Sequence, residues 1–274
     1  MNNEVIEIVK GSFDLRVNSG PDTQERRLNV LDTARAAYEG GLGGFVLKSP
    51  DYPTMPLASV LDQMYPGLQV LGSITLNKSI GGINPTAVQV SADLGAKIVW
   101  MPNSKTCDQS VSDISETVVK IMDSESNILS EVVDVLDIIA AENMVLASGH
   151  ISHGDTIKLF EEAKIRGVKK MIATHPFGNS TNTEMEEIAS TGAYIEFAFL
   201  SCMPTEQTMS PRIMCEQILQ LGVEKCLVTT DFGNWTNPPP AEGMRMAVAS
   251  LLDSGMSVDD VTKLVKHNPQ KIIS

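Results

Sequence analysis

Arg26–Lys48, RRLNVLDTARAAYEGGLGGFVLK, is the stretch from which the fold can be read. Leu28, Leu31, Ala34 and Ala37 recur at three- or four-residue spacing, which lays them along one stripe of a helix over Arg26–Glu39. Gly40-Gly41 then supplies the left-handed backbone that commonly ends a helix. A short apolar run, Gly44–Lys48, follows at once and reads as a buried strand. Helix, glycine and strand in this order make one repeat of a βα architecture around a parallel sheet.

Working outward, the same pattern recurs along the chain. Eight apolar runs can be counted: Phe13–Asn18, Gly44–Lys48, Gln69–Thr75, Lys97–Met101, Met144–Gly149, Lys169–Thr174, Ala193–Phe199 and Cys226–Asp231. Further helices are expected over about 85–94, 130–142, 154–166, 182–190, 210–221 and 241–253. Gly95, Gly167, Gly192 and Gly222 mark further helix-to-strand turns. Eight βα units in 274 residues suit an α/β fold of the (β/α)8 TIM barrel kind, one domain over 1–274. An open doubly wound sheet explains the same alternation, so periodicity alone leaves both standing. No GxGxxG or GxxxxGK[ST] follows any strand, which weakens nucleotide-binding readings. Asn103–Ser130 is too long for an ordinary connection. There Thr117–Met122 and Asn127–Leu129 flank the polar turn DSESN as a short hairpin-like insertion after strand 4: a lid, a homo-oligomer contact or a plain surface excursion.

Composition narrows the function classes. Apolar residues make up 42% and charged residues 20%, ordinary globular values. The formal charge of -13 opposes nucleic acid and anionic membrane surfaces, and Arg26-Arg27 and Lys169-Lys170 read as solvated surface. No apolar stretch is long enough to span a bilayer, and MNNEVIEIVKGSFD lacks the basic start and apolar middle of a signal peptide, so a cytoplasmic protein is expected. Cys107, Cys202, Cys215 and Cys226 show no CxxC pairing and are expected as reduced thiols.

Chemistry is concentrated where strands end. Asp14-Leu-Arg-Val-Asn18 closes the first strand, Lys48 the second, His150 the fifth, His175 the sixth and Asp231 the eighth, and in a barrel all of these face one mouth. Three of the four histidines, His150, His153 and His175, lie at or just after strand ends. Lys48 reads either as an ion pair with Asp14 or Asp51 or as a desolvated amine acting as base or electrostatic stabiliser. Arg16 reads as an internal partner of Asp231 or as a bidentate anchor for a substrate carboxylate. Asn18, Asp22, His153, Glu196 and Trp235 complete the expected substrate-binding set around Arg16, with Asp231, His150, His175 and Lys48 as the catalytic set.

These motifs carry a resemblance. DLRVNSGPD, VLKSPDYPT, ITLNKSIGGINP, AKIVWMP, LASGHIS and ATHPFG, with HNPQKII near the end, resemble in order an uncharacterised branch of the amidohydrolase superfamily, metal-dependent-hydrolase-like barrels. That branch usually reads DLHVHSGPD in the first motif; here Arg16-Val17-Asn18 replaces His-x-His. An arginine is never deprotonated and brings positive charge where a cation would sit. The carboxylated lysine or glutamate after strand four is not evident either, since that strand ends Trp100-Met101-Pro102. What remains of the family's metal set is His150, His175 and Asp231, which could hold one zinc ion. No cofactor is favoured.

The resemblance implies a hydrolase or lyase acting on a small carbonyl compound, an amide, lactone or cyclic imide, with Asp231 as the proton-transfer group. Two alternatives stand beside it. One is a zinc-dependent hydrolase using the residual triad, and the other an inactive barrel that binds a small anionic ligand.

Overall fold

Apolar runs of three to seven residues are too short for core helices, and they line up instead as neighbouring strands. The computed structural model describes residues 3–103, 119–175 and 181–274. Its strands are β1 (Phe13–Asn18), β2 (Gly44–Lys48), β3 (Gln69–Thr75), β4 (Ile98–Trp100), β5 (Val145–Ala147), β6 (Lys170–Ala173), β7 (Tyr194–Ala198) and β8 (Cys226–Thr229). All neighbours are parallel and the order follows the chain from β1 to β8. Backbone bonds just past the last ladder close the ring: Asp231 N donates to Arg16 O at 3.1 Å, and Asn18 N to Phe232 O at 2.9 Å. This is the expected (β/α)8 barrel.

Helices α1 (Asn3–Val9), α2 (Val30–Glu39), α3 (Met55–Met64), α4 (Pro85–Asp93), α5 (Ser130–Ala141), α6 (His153–Ile165), α7 (Asn182–Ser190), α8 (Pro211–Leu221) and α9 (Pro240–Asp253) accompany the strands. Two short ones, α10 (Val258–Thr262) and α11 (Asn268–Ile273), follow. Their apolar stripes meet the outward strand residues in one large core that includes Ala34, Val99, Leu136, Phe160 and Val228. A second, smaller core fills the barrel: Phe13, Leu15, Val46, Leu71, Ile98, Trp100, Val145, Ala147, Ile172 and Leu227, joined by Ile272 and Ile273 of α11. Asn268 ties α11 to the start of β8 by donating to Val223 O and Cys226 O, both at 2.8 Å.

Several expected boundaries move. Helix α2 begins at Val30 and not at Arg26, because the Asn29 side chain caps it by accepting from Asp32 N at 2.9 Å. Arg26 is not solvated surface: its side chain is 7% exposed, paired with Asp22 at 2.7 Å and bonded to Asn234 at 2.8 Å. Strands four to eight end earlier than their apolar runs, because the chain beyond turns out of the ladder, as at Gly149 (φ +61°) and Asp231 (φ +55°). The hairpin-like turn is present over its described part, with Met122 bridging Ile128 antiparallel and Leu129 N donating to Ile121 O at 3.0 Å. Thr117 and the cysteine Cys107 lie outside the described residues, while Cys202, Cys215 and Cys226 are free thiols. Among the described residues no helix is long and apolar enough to cross a membrane.

Candidate active site at the barrel mouth

A bulge in β1 creates the site. Asp14 pairs with Phe45 and Val17 with Leu47, so three steps along β1 match two along β2, and one residue is extra. The extra residue breaks strict alternation. Leu15 stays in the inner core, Val17 packs outward, and both Arg16 and Asn18 reach the mouth. Asp14 fixes this irregularity: its Oδ1 accepts from Arg16 N (3.2 Å) and Thr230 N (3.1 Å), and its Oδ2 accepts from the Thr230 hydroxyl. Burial pushes the Asp14 carboxyl up to about 7, although the Thr230 and Arg16 hydrogen bonds oppose the shift.

Glycines allow two close approaches at strand ends. Gly149, with φ +61°, crosses the Met101 backbone so tightly that a Cβ would collide with the Met101 carbonyl, and it turns His150 toward the mouth. Gly233 crosses Asn18 in the same manner beyond Asp231. His175 (φ +22°) and Asp231 (φ +55°) are themselves non-glycine residues at positive φ, strain of the kind that gathers at working sites.

The guanidinium of Arg16 is the hub. Its Nη1 lies 3.3 Å from Glu196 Oε2, Nε 2.8 Å from Asp231 Oδ1, and Nη2 3.4 Å from His150 Nε2. The Nε–H is not aimed at Oδ1, so this contact is a charge pair and not a directed hydrogen bond. Asn18 Nδ2 donates to the same Oδ1 at 2.9 Å, and Thr229 donates to Glu196 Oε1 at 2.8 Å. Burial raises the Glu196 carboxyl, and Arg16 opposes that rise.

His150 and His175 meet edge to face with their Nε2 atoms 2.9 Å apart. Burial first, then the charges of Arg16 and neighbours, hold His150 down to about 2 and His175 well below its usual value. The His175 side chain remains 25% exposed, so solvent moderates its shift without reversing it. Both rings are therefore neutral at pH 7. Arginine can only donate, so His150 Nε2 offers its one lone pair: His175 Nε2, at 2.9 Å, carries the proton and is the nearer donor, and Arg16 at 3.4 Å shares the same lone pair weakly. That proton also faces Asp231 Oδ2 at 3.8 Å, too long for a direct bond and right for a bridging atom.

Lys48 comes to the same mouth, with Nζ 5.3 Å from the Trp100 ring centroid and Arg16 Cζ 5.5 Å from the same ring. Burial, and then Arg16, lower its amine to about 7. It pairs with neither Asp14 nor Asp51: Asp14 is taken by Thr230, and Asp51 accepts from Thr23. Other expected members stand apart. His153 pairs with Glu187 of α7 at 3.1 Å, Asp22 holds Arg26 on the rim, and Trp235 is 59% exposed with its carbonyl accepting from Arg27. Sequence reasoning passed over Trp100 as a site residue, although a tryptophan ending an inner strand run carries a donor that needs a partner.

The family resemblance read from the sequence implies a divalent metal, and the residues present do not fit one. Zinc bound by imidazoles at about 2.0–2.1 Å in tetrahedral geometry sets its nitrogens roughly 3.3 Å apart. Here the two nitrogens are at 2.9 Å and share a proton, with a permanent cation 3.4 Å from one of them. Among the described residues no group of three or more His, Cys, Asp or Glu side chains could hold an ion.

Solved structures share this architecture. An amidohydrolase from Pseudomonas aeruginosa superposes with a TM-score of 0.69 at 11% identity over 98% of each chain. The probable dipeptidase PvdM from the same organism gives 0.66 at 11% identity, over 100% of this chain and 98% of its own. The organophosphorus hydrolase from Deinococcus radiodurans gives 0.65 at 12% identity, over 97% and 93%. Likeness at this identity speaks for the fold. No curated protein matches the chain. The sequence comparison that does match spans residues 11–196, from just before the bulged first strand through Glu196, and on that ground the chain belongs to DUF6282, a family of unknown function.

Proposed function

We propose that the barrel mouth hydrolyses, or cleaves by elimination, a small carbonyl compound such as an amide, lactone or cyclic imide, using its own side chains in place of a metal. The observation that carries this reading is the Arg16 guanidinium, held by Glu196 and Asp231 beside two neutral imidazoles. Arg16 and Asn18 occupy Asp231 Oδ1, leaving Oδ2 as the proton acceptor. In hydrolysis, Oδ2 takes a proton from water as its oxygen bonds to the carbonyl carbon. The guanidinium stabilises the developing oxyanion, joined by the His175 Nε2–H as it exchanges its bond to His150 for one to that oxygen. Collapse breaks the bond to the leaving group, which receives the proton from Asp231, so that water and substrate are fully accounted for. The structural neighbours named as amidohydrolase, dipeptidase and organophosphorus hydrolase support hydrolysis as the reaction class.

A panel of amides, lactones and cyclic imides, assayed with and without a chelator, tests the proposal. Turnover should be indifferent to chelator, and Asp231→Asn should lower kcat by about 10²–10⁴-fold. Activity that a chelator abolishes and zinc restores would overturn it.

A further inference from the structure

Lys48 is a buried amine that the reaction above leaves unused. Arg16 and Lys48 both lie within 5.5 Å of the Trp100 ring, but only Arg16 touches Glu196 and Asp231; their charges reach Lys48 from farther off. Among the described residues no carboxylate forms an ion pair with Lys48, which is 3% exposed. A buried ammonium in that state is costly unless something negative meets it.

The next two strands present polar atoms on the same face of the sheet. Trp100 Nε1 and Thr75 Oγ1 are buried and have no hydrogen-bond partner among the described residues. Thr75 and Trp100 are ladder partners on β3 and β4, so their side chains share one face of the sheet, and Trp100 belongs to the inner core. Lys48 stands one residue past the Leu47–Gly72 pair, on the strand beside Thr75's own. Three adjacent strands thus offer an ammonium, a hydroxyl and an indole N–H. A water molecule could satisfy the last two but brings no charge; an oxyanion satisfies all three.

We propose that Lys48, Thr75 and Trp100 anchor a carboxylate of the substrate, so that the compound reacting at Asp231 and His175 is a carbonyl compound that also carries a carboxylate. The identity of the reacting half rests on the function proposed above; the anchor itself does not. Calorimetric titration of the whole protein with succinamate and with its neutral counterpart succinamide separates the two. Succinamate should bind at least about tenfold more tightly than succinamide, Lys48→Met should erase that preference, and Trp100→Phe, which keeps the ring and removes the N–H, should weaken succinamate about tenfold. Lys48→Met removes a buried charge and should melt above wild type, so a lost preference is not a folding defect. Equal affinity for the two probes, no succinamate binding at about 10 mM, a preference that survives in Lys48→Met, or tighter binding of inorganic phosphate would each overturn the carboxylate anchor. Succinamate bound through Lys48 without turnover of any carbonyl compound would keep the anchor and remove the proposed reaction. Turnover of neutral amides with no acid preference would do the reverse.

Discussion

At the lower end of the barrel, Phe13, Leu15, Val46, Ile98, Val145 and Leu227 fill the interior and α11 closes it with Ile272 and Ile273. Toward the mouth ends of the strands stand Arg16, Lys48, Glu196 and Thr229, with Asp231 just past β8. Both layers are buried apart from Asp231, whose side chain is 11% exposed, yet they act on stability in opposite ways. Each apolar side chain below contributes about 1.5–3 kcal/mol on leaving water. Each ion above costs several kcal/mol to desolvate, and pairing returns only part of that. A barrel selected for stability alone would carry leucine in both layers. The upper layer therefore records a demand other than folding.

Breaking the upper layer at its hub should have the largest effect. Arg16→Met leaves Glu196 and Asp231 without the cation that contacts both, and we expect a loss of about 3–5 kcal/mol in urea unfolding. Adding Glu196→Gln should restore part of it; a double variant no more stable than the single one would show that the pair is not coupled. The lower layer breaks differently. Leu227→Ala should cost about 2–5 kcal/mol of stability while kcat per folded molecule stays at the wild-type value. A matching fall in kcat would mean that the two layers are not separable.

The comparison is sharpened by pH. Lys48 is lowered from 10.5 to about 7 in the folded chain, so between these values the unfolded chain binds more protons and stability rises with pH. Below about 7 both states are protonated and the folded chain carries the whole penalty. Lys48→Met should therefore gain on the order of a few kcal/mol at pH 6, with the gain shrinking as pH approaches 10. A gain that is constant across this range would assign it to packing and not to charge.

The sequence showed the strands well because each inner or outer residue obeys a short apolar rhythm, and Arg16 with Asp231 was visible as a pair because both stand at strand ends. Helix α3 escaped notice. Prolines at 53, 56 and 66 punctuate it, and Val60 and Met64, each more than half exposed, blur its stripe. Helices α1 and α11 were also unread, being short and deriving their stability from the barrel they cover. The bulge was illegible for a different reason: one extra residue leaves no mark on composition, yet it decides that Arg16 enters the mouth. Three residues drawn to the site by sequence position, His153, Asp22 and Trp235, found partners on neighbouring loops and helices instead, which spacing along the chain could not reveal.

The cation at the centre of this mouth is bonded to the chain through its own methylenes. It has no dissociation constant, so its occupancy is complete in every molecule from the moment of folding. A chelator cannot remove it, and a competing ion cannot take its place. Where a protein that recruits its charge from solution is limited by scarcity or by loading with the wrong element, a chain with arginine at position 16 carries that charge by inheritance.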